Sequence, residues 1–151
     1  MPRIGQKAVK KKTTINLIND FSRYSFPLKP YKSMIYKIIS GECIPVHNLS
    51  IITVNDEYLK KMHKKYLNQN TYTDVMTFKM EEKSGIEAEI YISLDRAEIN
   101  ARQYKVALKE EFARLVIHGL LHIKGFDDRI EAEKNSMKLM EDRLLKKYWI
   151  N

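Results

Sequence analysis

Apolar positions recur with two different periods along this chain, and the change of period divides it. From residue 13 to 19, Ile15 and Leu17, with Phe21 just beyond, alternate with polar residues, a strand pattern. Beyond Pro27 and Pro30, the residues Met34, Ile35, Ile38 and Ile39 fall at helical spacing, and Gly41 marks the stop. Residues 49–54 are β-branched and flanked by turn formers, which predicts a second strand. Asn55 or Asp56 can cap the next helix, whose stripe is Tyr58, Leu59, Met62 and Tyr66. A polar loop at 68–71 precedes two alternating runs, 74–80 and 86–93, joined by Lys83-Ser84-Gly85 as a hairpin.

From residue 95 the period is helical to the end. Asp95 is placed as the cap of a helix to about Tyr104; a second helix spans about 106–124 and a third about 129–147. Around Leu115–Ile123 apolar residues occupy nearly the whole circumference, the mark of a buried central helix. No repeat, low-complexity tract or linker interrupts the order. The elements predict one α+β domain over 13–151, a small mixed sheet packed with helices, after a basic tail or strand entry at 1–12.

Composition narrows the class. At 151 residues, with 44% apolar and 30% charged side chains, the chain suits one globular core. Its one cysteine, Cys43, excludes an internal disulfide framework and is expected as a small buried hydrophobe. No run reaches the length of a membrane span, and Thr13–Asp20 is too polar for a signal-peptide core, so the expected compartment is the cytoplasm. A net charge of +8 favours a polyanionic partner such as nucleic acid.

Chemistry concentrates in His118-Gly-Leu-Leu-His122-Ile-Lys-Gly125-Phe-Asp-Asp128. Histidines four apart share one helix face, because a helix advances 3.6 residues per turn. Gly125 is the residue type that most easily takes the left-handed conformation ending a helix, after which Asp128 can turn back toward the imidazoles. Two imidazoles and a carboxylate with an open fourth position form the pattern of a catalytic divalent-metal site. Each residue also has a structural explanation. Asp128 with Glu131 fits a capping box for the last helix, and Asp128 could cap and ligate with different oxygens.

The spacing resembles the metzincin form HExxHxxGxxH/D, so a zincin-like site at the end of the central helix is expected. The glutamate that serves metalloproteases as base would fall at 119, which is Gly119. Peptide hydrolysis is therefore disfavoured, whereas metal and cationic side chains can carry much of phosphodiester cleavage. Glu111 and Arg114 share the histidine face and are candidates to orient an imidazole; Arg114 could also neutralise a phosphate. His63, among Lys60, Lys61, Lys64 and Lys65, is expected at the surface, its lysines being the local candidates for phosphate contacts. His47 carries no sharper expectation.

The motif is similar to the His-Gly-x-Leu-His-Leu-x-Gly-Tyr-Asp-His run of the YbeY family of bacterial endoribonucleases, also called rRNA maturation factors. Tyr66-Leu67, Tyr72-Thr73-Asp74-Val75-Met76-Thr77-Phe78 and Ala88-Glu89-Ile90-Tyr91-Ile92-Ser93 resemble further family elements in the same order. The resemblance covers about residues 48–147. It implies one α+β domain, a metal usually taken as zinc on His118, His122 and Asp128, and cleavage of single-stranded RNA. It also implies roles in 16S rRNA maturation and ribosome quality control, with ribosomal RNA and the ribosome or its small subunit as partners.

Two departures stand out. The third ligand position holds Asp128 rather than histidine, which admits harder ions such as manganese. The family's arginine after the tyrosine is Leu67, so either another cation, Arg114, Lys65 or Lys124, replaces it or cleavage is slower. The expected function is a metal-dependent endoribonuclease with His118, His122, Asp128 and Arg114 as its catalytic set. The rivals are a non-catalytic RNA- or ribosome-binding factor with a structural metal, and a metallohydrolase of another substrate.

Overall fold

A computed structural model describes residues 13–20, 27–83 and 85–149. The basic segment 1–12, Phe21 and Ser84 of the expected turn lie outside the described residues. The elements are β1 (Thr14–Asn19), α1 (Lys29–Gly41), β2 (Asn48–Val54), α2 (Asp56–Leu67), β3 (Val75–Glu82), β4 (Gly85–Ser93), α3 (Leu94–Tyr104), α4 (Leu108–Lys124) and α5 (Glu131–Tyr148). Every element read from the periodicity is present, within one or two residues at most ends.

One four-stranded sheet has the order β1-β2-β4-β3. β1, β2 and β4 run parallel, and β3 pairs antiparallel with β4 as the hairpin pattern requires. Alternation gives each strand two faces. Leu49 and Ile51 of β2, Ala88, Ile90 and Ile92 of β4 and Val75 of β3 belong to the main core with α1, α4 and α5. Ile52, Val54, Met76, Phe78 and Tyr91 point the other way, onto Leu59 and Met62 of α2. The fold is therefore three layers, α2 over the sheet over α1, α4 and α5, and α3 packs on both α4 and α2.

Helix α4 is buried nearly all round, through Phe112, Ala113, Leu115, Val116, Ile117, Leu120, Leu121 and Ile123. It lies very close to the sheet at one point. A Cβ on Gly119 would stand 2.6–2.9 Å from three carbons of the Ile90 side chain. The position where a metalloprotease carries its base thus faces the sheet, and it is glycine because β4 leaves no room for more.

Four local expectations are corrected. The cap of α3 is Ser93, whose hydroxyl accepts from the Arg96 N–H, and not Asp95. Helix α5 begins at Glu131 after Ile130, and the Glu133 carboxylate accepts from the Ile130 N–H at 3.2 Å, so Asp128 and Glu131 form no capping box. Cys43 is exposed, on a backbone with φ of 53°, because it sits in the turn just beyond α1 instead of in the core. His63 is buried, since the 68–71 loop folds over it and the Thr71 carbonyl lies 3.0 Å from its Nδ1.

Candidate metal centre

The last turn of α4 and the segment after it are shaped by Gly125. With φ of 116° it takes the left-handed C-cap. Its N–H donates to the His122 carbonyl and the Phe126 N–H to the Leu121 carbonyl, each at 3.0 Å, which is the Schellman pairing. That turn brings the Phe126 carbonyl to 2.9 Å from His122 Nδ1 and sends the chain back so that Asp128 faces the histidines.

Three donor atoms then converge. His118 Nε2 and His122 Nε2 are 3.0 Å apart, and Asp128 Oδ2 stands 3.3 Å from the first and 3.5 Å from the second. Ligands about 2.0–2.2 Å from a tetrahedral ion are separated by about 3.3–3.6 Å, so this triangle has the dimensions of one face of such a site. The side chains are 20%, 25% and 39% exposed, which leaves one side open to solvent.

Hydrogen bonding fixes the tautomers. A carbonyl can only accept, so His122 Nδ1 carries the hydrogen toward Phe126. Glu141, from α5, places Oε2 2.6 Å from His118 Nδ1 and accepts in the same way. With Nδ1 carrying the hydrogen, each imidazole in its metal-binding form turns a bare Nε2 lone pair at the other and at a carboxylate oxygen. Three lone pairs meeting at these distances repel unless a cation lies among them, so the donor set fits a divalent ion.

Behind the triangle runs an ionic chain. Arg114 Nη1 reaches Glu141 Oε1 at 3.4 Å, and its Nη2 reaches Asp142 Oδ1 at 2.6 Å. Burial works to lower the His118 pKa, but the Glu141 hydrogen bond and charge, with Asp128 and Asp74, raise it above the ordinary value. Arg114 is thus engaged on α5, where it pairs with the Glu141 carboxylate that holds His118. Glu111 touches no histidine. It is 2% exposed, its Oε2 accepts from Asn100 Nδ2 at 3.3 Å, and the same amide nitrogen donates to Asp74 Oδ2 at 3.0 Å. Desolvation, opposed by the Asn100 hydrogen bond, pushes its carboxyl up to about 7.

Glu141 is the functional residue that sequence reasoning missed. Its signal was an acid on the apolar stripe of α5, between Met137 and Leu144–Leu145. Lys79 was also missed. It extends from β3 to the end of α4, with Nζ 3.5 Å from the Ile123 carbonyl. Leu67 is exposed at the end of α2, and Lys124 is exposed in the last turn of α4, two residues after His122 and so on the other side of the helix.

The model of the family described as Endoribonuclease YbeY matches residues 16–149. The chain belongs to the YbeY family. Among its relatives, the endoribonuclease YbeY of Christiangramia forsetii is 37% identical over 128 residues, spanning 83% of this chain and 90% of that one. The endoribonuclease YbeY of Karelsulcia muelleri is 34% identical over 130 residues, 86% of each chain. The solution structure of TM1509 from Thermotoga maritima shares the fold, with a TM-score of 0.64 over 90% of this chain and 89% of that one, at 24% identity. YbeY relatives are named as RNA-cleaving enzymes, and the protein is an endoribonuclease of that family with a three-residue cluster that fits a metal. Among the described residues, no helix is long and apolar enough to cross a membrane.

Proposed function

We propose that the protein is a zinc-dependent, single-strand-specific endoribonuclease of the cytoplasm, acting in 16S rRNA maturation and ribosome quality control on the ribosome or its small subunit. The observation that carries the reading is the convergence of three bare donor atoms at tetrahedral spacing, with both imidazoles locked by partners behind them. His118, His122 and Asp128 would hold the ion. Bound there, a divalent cation supplies Lewis acidity toward a phosphoryl oxygen and lowers the pKa of a water.

The protein's own residues do the rest. Glu141 holds the His118 ring at its metal-facing tautomer, and Arg114 acts as a positioning residue through Glu141. Phosphate charge falls to cations outside that pair: Lys79 at the end of α4, Lys124 in the last turn of that helix, and the α2 lysines with Lys65. With glycine at 119 no side chain there can serve as base, which suits phosphodiester cleavage and not peptide hydrolysis. Asp128 in place of a third imidazole lowers the net charge of the site and also admits manganese.

The test is elemental analysis of protein purified without added metal, beside cleavage of an end-labelled single-stranded oligonucleotide of 16S rRNA sequence. One equivalent of zinc and discrete cuts are expected. Asp128→Ala should hold far less metal, and His118→Ala should not cut while its circular dichroism is unchanged. Metal-loaded protein that binds the oligonucleotide and leaves it intact overturns the reading in favour of a binding factor.

A further inference from the structure

On the α2 side of the sheet, away from α4, lies a groove of about 400 Å³ between α2 and the β3–β4 hairpin. Met62, Tyr66, Phe78, Met80, Glu89 and Tyr91 line it. Its aromatic rings are set edge to face: Tyr66 and Phe78 have centroids 5.2 Å apart, Phe78 and Tyr91 5.8 Å. Tyr66 and Met80 are more than half exposed, so an apolar wall stands open to solvent.

Besides Lys79 and the Tyr66 and Tyr91 hydroxyls, the polar groups of the groove are two carboxylates. Glu87 is engaged by Asn48 Nδ2 at 3.4 Å. Glu89 accepts from the Tyr91 hydroxyl through Oε2 at 3.3 Å, and it is a half-buried acceptor with lone pairs to spare. A carboxylate on an aromatic wall accepts from a flat donor edge, while Lys65, with Nζ 5.2 Å from the Tyr66 ring centroid, supplies a cation at the rim for a neighbouring phosphate. Among the four RNA bases only guanine presents two adjacent donors, N1–H and N2–H, on its Watson–Crick edge. Adenine and cytosine pair one donor with a ring acceptor, and uracil sets one N–H between two carbonyls.

The hairpin that walls the groove also reaches the end of α4 through Lys79. Lys79, between Phe78 and Met80 on β3, sends its side chain to the opposite face of the sheet, 3.5 Å from the carbonyl of the residue after His122. β3 is an edge strand. A single strand crossing its free edge can thus have a phosphate on the α4 side and a base on the α2 side.

We propose that the groove between α2 and the β3–β4 hairpin is a guanine-reading subsite for the RNA flanking the cleaved bond, with Glu89 reading the base edge, Tyr66 stacking on the base and Phe78 meeting it edge-on. The proposal rests on the endoribonuclease reading above. Glu89 sets specificity and takes no part in bond cleavage.

Two measurements test it. Isothermal titration of the full chain with GMP, AMP, CMP and UMP should show GMP at least about fivefold tighter than the others. Glu89→Gln should bring GMP to their level, and Tyr66→Ala should weaken GMP by about tenfold. GMP preference should persist in His118→Ala, which lacks the metal centre, so this arm stands even if the nuclease reading fails. In the second, cleavage of a randomised single strand is sequenced. Guanine should be enriched at one fixed offset from the cut, and the rate ratio of guanine-bearing to guanine-free substrates should fall toward one in Glu89→Gln. Equal affinity for the four mononucleotides, or a GMP preference that survives Glu89→Gln, overturns the proposal. A GMP preference with no enrichment beside the cut overturns it too, because the groove then serves a free nucleotide.

Discussion

The 2.6 Å hydrogen bond from His118 Nδ1 to Glu141 decides which ring nitrogen faces the triangle. Removing the charge while keeping the shape tests how much affinity that contact contributes. Glu141→Gln can still accept through its amide oxygen, but it no longer raises ligand basicity, and it leaves Arg114 with Asp142 alone. Metal affinity, read by competition with a chromophoric chelator, should drop about 10–100-fold with the fold intact. A second residue-scale prediction concerns Glu111. Its folded-state pKa of about 7 exceeds the 4.5 of an unburied carboxyl, so the folded chain keeps a proton that the unfolded chain releases. Stability from this group is full below the unfolded value. It declines as pH rises through that window, and above about 7 the buried carboxylate costs up to about 3 kcal/mol. Glu111→Gln should therefore change urea stability little at pH 5 and raise it at pH 8, by about 1–3 kcal/mol. Equal shifts at both pH values would mean that Glu111 is ionised throughout.

At the scale of the element, α4 is both the metal helix and the core helix, and Gly119 is where the two duties meet. Adding a methyl there gains helix propensity of up to about 1 kcal/mol but drives a carbon into Ile90. Gly119→Ala should lower stability by about 1–2 kcal/mol net, read as a melting temperature lower by about 2–8 °C. Combined with Ile90→Ala, which opens the space, the pair should cost less than the sum of the single changes. The same helix shows how far local rules reach. His118, His122, Gly125 and Asp128 were legible because they lie within eleven residues, where helical period and a glycine stop determine the geometry. Glu141 was not, because its place beside His118 depends on how α5 crosses α4. The burial of His63 escaped for a related reason: a loop that folds over α2 leaves no periodic trace. The hairpin β3–β4 was readable from its alternation, whereas the order β1-β2-β4-β3 arises from pairings over long sequence separations.

For the molecule as a whole, the centre joins α4, the segment after it and α5, adding to their packing and to the Arg114–Asp142 ion pair. His118 and His122 belong to α4, Asp128 to the following segment, and Glu141 ties α5 to the same triangle. An ion held there binds the folded chain and not the unfolded one, since no unfolded chain presents these donors together, so it must raise stability by mass action. At free metal about a thousandfold above the dissociation constant the gain is about 4 kcal/mol. For a chain of this size that corresponds to a melting temperature higher by about 10 °C. Wild-type protein melted with zinc and then with excess chelator should show that interval. Glu141→Gln should show a smaller one, its site being weaker but present. Asp128→Ala should melt at nearly the same temperature under both conditions, because two imidazoles alone hold the ion too weakly. A wild-type melting temperature indifferent to zinc and chelator would mean that the three side chains share no ion, and the hydrolytic role assigned to them would fail with it.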